Sequence, residues 1–134
     1  VMKLVDAQNT WDYAMLEEIL APDLRRHCQA TPDVDVRSRE DFIGFLKSWE
    51  TSTPDARVDV NQILAEGDRV AVHATFSATQ TGTLGTIPPT GNSFSSDYLA
   101  ILRIADGQIA EIWVEWDNIA ILSQLGVFPP SEAG

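Results

Sequence analysis

Between Ser93 and Gly126 lies the stretch that leaves this chain the fewest ways to fold. Two apolar-rich runs, Phe94 to Ile104 and Gln108 to Trp116, flank Ala105-Asp106-Gly107, and a run of helical period follows them. A glycine-containing turn between two such runs signals a β-hairpin, because the glycine supplies the left-handed backbone a tight loop needs. If three residues close the loop, Ile104 opposes Gln108, Leu102 opposes Ala110, Ala100 opposes Ile112, Tyr98 opposes Val114 and Ser96 opposes Trp116. Opposed residues point the same way, so these side chains share one face of the sheet. Asp97, Leu99, Ile101, Arg103, Glu111, Trp113 and Glu115 then occupy the other. A two-residue loop would instead move one strand's whole set to the opposite face.

After Trp116 the apolar period lengthens: Ile119, Leu122 and Leu125 fall on one helical stripe, with Ile121 at its margin. Asp117 stands where its carboxylate can accept the free amides of a first helical turn, and Gly126 stands where a helix stops. Upstream, Met2 to Ala21 carries apolar residues at helical spacing in two blocks, broken near Asn9-Thr10 and ended by Pro22. With no capping residue ahead of Val1, the first helix is expected to continue upstream. Leu24 to Ala30 reads as a strand, with His27 and Cys28 on opposite faces and so unable to form a nucleophile pair.

Thr31 to Ser38 is a polar loop with a Pro-Asp turn signal, and Ser38 caps an amphipathic helix carrying Phe42, Ile43, Phe45, Leu46 and Trp49. Arg57 to Ala65 and Arg69 to Thr79 form a second antiparallel pair around Glu66-Gly67-Asp68. Gln80 to Asn92, with Gly82, Gly85 and Gly91 around Pro88-Pro89, suits a loop over the mouth of a cavity or a plain surface crossover. Helices followed by a mainly antiparallel sheet of four to six strands make the fold α+β, and residues 1–134 are expected to form one domain.

Charge and cysteine content narrow the function classes. Nine basic against 20 acidic residues give a net charge of -11, which repels a phosphate backbone and argues against nucleic acid as a partner. One cysteine excludes an internal disulfide framework, and the sequence has no apolar run long enough for a membrane span, so the cytoplasm is the expected location. The two histidines, His27 and His73, do not fall in any metal-ligand spacing, and no glycine-rich phosphate motif opens a helix. No metal and no cofactor are expected.

In order along the chain, Thr53-Pro54-Asp55-Ala56-Arg57, Glu66-Gly67-Asp68-Arg69-Val70, Thr79-Gln80-Thr81-Gly82, Ile87-Pro88-Pro89-Thr90-Gly91 and Arg103-Ile104-Ala105-Asp106-Gly107-Gln108-Ile109-Ala110-Glu111-Ile112-Trp113 form a recognisable series. Closed by Trp116-Asp117 and Gln124-Leu125-Gly126, it resembles the SnoaL-like polyketide cyclases, within the nuclear-transport-factor-2-like fold that also houses ketosteroid isomerases. The resemblance implies a cone: a curved, mainly antiparallel sheet wrapped by N-terminal helices around an internal cavity, commonly dimeric through the sheet's outer face. It favours the three-residue loop, and makes Ser96, Tyr98, Ala100, Ile112, Val114 and Trp116 cavity walls, with Cys28 near the position of the isomerases' general base. It also implies that the positions at which the cyclases keep a His and an acid-base Asp are held here by Ala100 and Val114, neither of which exchanges protons.

An intramolecular aldol closure needs a base for a proton alpha to a carbonyl and a donor for the enolate oxygen. The candidates are Asp117, which capping also explains; His73, whose face the sequence does not fix; and Tyr98, an inward donor. The expected ligand is a small hydrophobic carbonyl-bearing molecule, cyclised or isomerised without cofactor. The alternatives are a non-catalytic binding module using the same cavity, or a dimeric accessory domain.

Overall fold

The computed structural model describes residues 1–32, 34–84 and 86–128. Asp33 and Gly85, which the sequence reading assigns to loops, lie outside them. In chain order the elements are α1 (Met2–Thr10), α2 (Tyr13–Ile19), β1 (Leu20–His27), α3 (Arg39–Ser52), β2 (Arg57–Glu66), β3 (Arg69–Thr79), β4 (Ser93–Ala105), β5 (Gln108–Trp116) and α4 (Asn118–Gln124). The five strands form one open mixed sheet in the order β1-β5-β4-β3-β2, with β1 parallel to β5 and the other pairs antiparallel. The architecture is α+β, as the sequence implies.

Helices α2, α3 and α4 each start on a capping side chain. The Ser38 hydroxyl accepts from the Asp41 amide at 3.1 Å, and Glu40 and Asp41 place negative charge at the N-terminal end of α3. Phe42, Ile43 and Leu46 form the buried stripe of that helix, laid against the sheet. Between α1 and α2 the break falls at Trp11, whose φ of 54° is left-handed, and Asp12 caps α2 through the Met15 amide. Asn9 stitches α1 to the sheet: its side chain accepts from the Val58 amide at 2.7 Å and donates to the Val58 carbonyl at 3.0 Å. The main core lies between the sheet's inner face and these helices, centred on Leu16, Leu20, Leu24, Val72, Ala74, Leu102 and Ile112. Burying each leucine contributes roughly 1.5–3 kcal/mol.

Three local expectations are corrected. The hairpin turn has two residues, Asp106 and Gly107, with φ of 52° and 76°, so Ala105 opposes Gln108 and Ile104 opposes Ile109. A β-bulge then intervenes: Arg103 opposes Glu111, leaving Ala110 as the extra residue. Beyond the bulge Leu102 opposes Ile112, Ala100 opposes Val114 and Tyr98 opposes Trp116. There the register differs by two residues from that of a three-residue loop, and a shift of two leaves those side chains on their expected faces; on the turn side of the bulge Ile109, buried, takes the place expected for Gln108 opposite Ile104.

The first strand begins at Leu20 and ends at His27, where the sequence suggests Leu24 to Ala30. Pro22 sits inside it because β1 is an edge strand with irregular pairing between Leu20 and Arg25, where a missing amide proton costs no ladder bond. In α4 the buried residue is Ile121, with Leu125 just beyond, while Ile119 is exposed. The helix is therefore rotated from the stripe drawn through Ile119, Leu122 and Leu125.

The connection from Gln80 to Asn92 is organised by one buried side chain. Gln80 donates to the carbonyls of Ile87 (3.2 Å) and Pro88 (3.1 Å) and accepts from the Thr90 hydroxyl (2.8 Å). Leu84 packs against a satellite cluster of Ala56, Ala78, Phe94, Ile121 and Leu125.

Candidate functional site

The inner faces of β3, β4 and β5, roofed by α1 and α3, surround a hollow of about 140 Å³. Its floor is Val72, Ala100, Leu102, Ile112 and Val114, and its roof is Leu4, Val5, Phe42 and Leu46. Toward one end the walls turn aromatic, with Phe45, Trp49, Phe76, Tyr98 and Trp116. Trp49 meets Phe76 edge-on at 5.3 Å, and Phe76 continues to Phe94 at 5.8 Å. Trp116 is held in orientation by its indole N–H, which donates to Asn118 at 2.7 Å; Asn118 in turn donates to the Ala30 carbonyl.

Against this apolar lining stand a few polar groups. Ser96, Gln8 and Asn9 reach the hollow, and the Asn9 amide is occupied by Val58. Burial pushes the Tyr98 hydroxyl up to about 12, so at neutral pH it is a hydrogen-bond donor and acceptor and not a phenolate.

The remaining polar group is Arg26, from β1. Its guanidinium carbon lies 4.5 Å from the centre of the Phe45 ring and 5.5 Å from that of Trp116. Nη1 donates to the Thr31 hydroxyl at 3.0 Å, and the Arg26 amide donates to the Val36 carbonyl, fixing the strand at this point. Burial lowers the Arg26 pKa, while Cys28 and Glu115 oppose that shift; a guanidinium nevertheless remains charged at neutral pH. Among the described residues no carboxylate and no histidine lines the hollow.

The candidates named from sequence therefore separate. Ser96, Tyr98, Ala100, Ile112, Val114 and Trp116 line the hollow together. Cys28 is not among its lining residues: β1 ends one residue earlier, and the side chain that strand contributes is Arg26. His73 projects from the outer face, where Nε2 meets Asp97 at 2.9 Å and Nδ1 meets Gln62 at 3.2 Å. With the Gln62 amide donating to Nδ1, the ring proton sits on Nε2 and is donated to Asp97. Asp117 caps α4, accepting from the Ala120 amide at 3.0 Å. His73 and Asp117 both border a shallow groove on the outer side, beside Asp97, Leu99 and Glu115.

Arg26 is the residue that sequence reasoning missed. The available signal was its spacing from Leu24: two positions apart on a strand, both side chains face the same way, and Leu24 is fully buried. Among the described residues no three His, Cys, Asp or Glu side chains gather as a metal site, and none of the helices is long and apolar enough to cross a membrane.

An open five-stranded mixed sheet with helices laid against it, in this α+β order, is the nuclear-transport-factor-2-like fold. Within it, the model of the SnoaL-like polyketide cyclases matches residues 1–125, and the chain belongs to that family. Among solved structures, wild-type IdmH from Streptomyces antibioticus, named as a candidate polyketide cyclase, is 33% identical, with 94% of this chain and 95% of that one covered and a TM-score of 0.82. AclR from Streptomyces galilaeus, named as a candidate hydroxylase, is 30% identical over 97% of this chain and 80% of that one, with a TM-score of 0.81. TsrD from Streptomyces laurentii is 29% identical over 95% and 92%, with a TM-score of 0.85. No curated protein matches the chain.

Proposed function

We propose that the hollow is a ligand cavity for a small, flat, largely apolar molecule bearing carbonyl oxygens, and that it promotes cofactor-free ring closure or isomerisation of that molecule. The observation that carries this reading is the composition of its walls: aliphatic and aromatic side chains on every side, with Tyr98 and Arg26 as convergent donors. Relatives of nearly equal identity carry cyclase and hydroxylase names, so the reaction is argued from the site and not from the fold.

Holding a flexible diketone in a bent conformation brings its two reacting carbons together, and this positioning is itself catalytic. In the closure, a proton leaves the alpha carbon for water. The enolate carbon then bonds to the second carbonyl carbon, whose oxygen takes up a proton. Tyr98 and Arg26 favour this course by donating to the oxygen on which charge develops. A base of ordinary strength is absent from the lining among the described residues, so the expected acceleration is modest. Two copies of the chain are expected to pair through the sheet's outer face, a reading supported by the exposure of Leu64, Leu99 and Ile101 there.

A second reading, a binding module without turnover, is favoured by Ala100 and Val114, which cannot exchange protons. A linear diketone whose intramolecular aldol closure, followed by loss of the new hydroxyl and an alpha proton as water, yields a conjugated cyclohexenone separates the two, because product formation is followed directly by ultraviolet absorbance. The enzyme reading expects turnover above the buffer rate that falls in Tyr98→Phe; binding without turnover in the wild type selects the second reading.

A further inference from the structure

Arg37, Arg39, Arg57, Arg69 and Arg103 each have a carboxylate within 4.0 Å. Among the described residues the exposed Arg25 has none, and, although the chain carries 20 acidic residues, neither does the half-buried Arg26. It stands instead between the rings of Phe45 and Trp116, bonded through Nη1 to the Thr31 hydroxyl. Aromatic faces stabilise a guanidinium through their quadrupole without consuming its N–H donors. A guanidinium presents five such donors in a planar fork, so most remain free to meet a ligand. The fork borders a hollow with apolar walls, where a charge-assisted hydrogen bond is stronger than in water.

From this geometry we propose that Arg26 is the docking point for a planar oxyanion, a carboxylate or an enolate, carried on a flat apolar body that fills the hollow. The proposal rests on the cavity reading above and deepens it by naming the charge of the ligand. The body lies along Ala100 and Val114, and its anionic end meets the fork beside Trp116. The Tyr98 hydroxyl, neutral and facing the same space, supplies a second donor. Discrimination thus comes from one charge in an uncharged chamber. A neutral amide of the same shape would fill the hollow as well, but would forgo the ionic contact.

The test is isothermal titration calorimetry of the full chain at neutral pH with trans-cinnamate and with its neutral isostere, trans-cinnamamide. The wild type is expected to bind cinnamate roughly tenfold or more tightly than the amide, the worth of a charged hydrogen bond. Arg26→Gln is expected to bind the two alike, and Arg26→Lys, which keeps the charge without the fork, to fall between. Should Arg26→Gln not fold, the wild-type preference and Arg26→Lys still decide the matter. Equal binding of both compounds by the wild type overturns the Arg26 assignment and leaves the cavity reading standing. Binding of neither overturns both. Benzoylacetone distinguishes the two oxyanion sources, since its apparent pKa drops on binding if the site takes an enolate and stays unchanged if it takes carboxylates alone.

Discussion

The two faces of the β3-β4-β5 sheet are built from alternate residues of the same strands, yet they hold opposite chemistries. On the outer face His73, Thr75 and Asp97 form one hydrogen-bonded group, and His27, Arg103 and Glu111 another. His27 stacks on Trp113 at 5.4 Å, and Arg69 lies over the same indole. The inner face carries Val72, Ala100, Leu102, Ile112 and Val114, with Tyr98 and Arg26 as its ionisable groups lining the hollow. Ionisable side chains that satisfy one another in solvent leave little for a ligand to do. A cation enclosed with apolar walls has its bonding capacity in reserve. The face with fewer charged groups is therefore the better candidate for binding.

The largest contrast is expected from neighbouring residues on opposite faces. Leu102→Asp places a carboxylate at a position 2% exposed and is expected to cost at least about 4 kcal/mol, enough to unfold much of the protein. Ile101→Asp, at a position 45% exposed, is expected to leave the thermal midpoint nearly unchanged and, if the proposed pairing through the outer face holds, to shift sedimentation toward the monomer. Equal destabilisation by the two substitutions would contradict the assignment of faces.

Next in size is the loop after β3. Gln80→Ala strips partners from two carbonyls and a hydroxyl around a fully buried side chain, and is expected to lower stability by about 2 kcal/mol in urea titrations. Asp117→Ala removes a cap and is expected to cost about 1 kcal/mol with cinnamate affinity unchanged. Abolished binding in that variant, with the fold intact, would make Asp117 part of the site.

The smallest effect is the pH response of the outer face. Asp97 is held below its ordinary pKa by hydrogen bonds from Thr75 and His73, and Glu111 below its own by bonds from His27 and Arg103. A carboxyl whose folded pKa is depressed stabilises the fold above its unfolded value, and that contribution is lost as pH falls through the folded one. Asp97 is exposed and Glu111 only half-buried, so the response is expected to be shallow and weakened by salt. Stability measured by urea midpoint should decline below the usual carboxylate range, less steeply in the Asp97→Asn, Glu111→Gln double variant. An identical slope in that variant would assign acid sensitivity elsewhere.

Much of this arrangement is legible in the sequence, because alternation sorts the residues of β4, and those of β5, into two faces; which face of one strand joins which of the other depends on the turn and the bulge together. The bulge at Ala110 shows the limit. Turn length and register trade off against each other, and the pattern of alternation fixes only their parity. The early start of β1 was hidden by Pro22, which reads as a stop until the strand is known to lie at the sheet's edge. His73 could not be oriented because Val72 and Ala74, its neighbours, are apolar on the buried side while Ala71 and Thr75 give no strong contrast. Arg26 escaped notice because a charged residue reads as solvent-facing; its enclosure depends on Phe45 and Trp116, distant in sequence and brought together by the fold.

The most direct test of the inner face as the binding face is a crystal structure of the protein soaked with trans-cinnamate. Density for the ring among Ala100, Val114 and Trp116, with its carboxylate on Arg26, is the predicted result. Density confined to the outer groove beside His73 and Asp97, with the hollow empty, would contradict it.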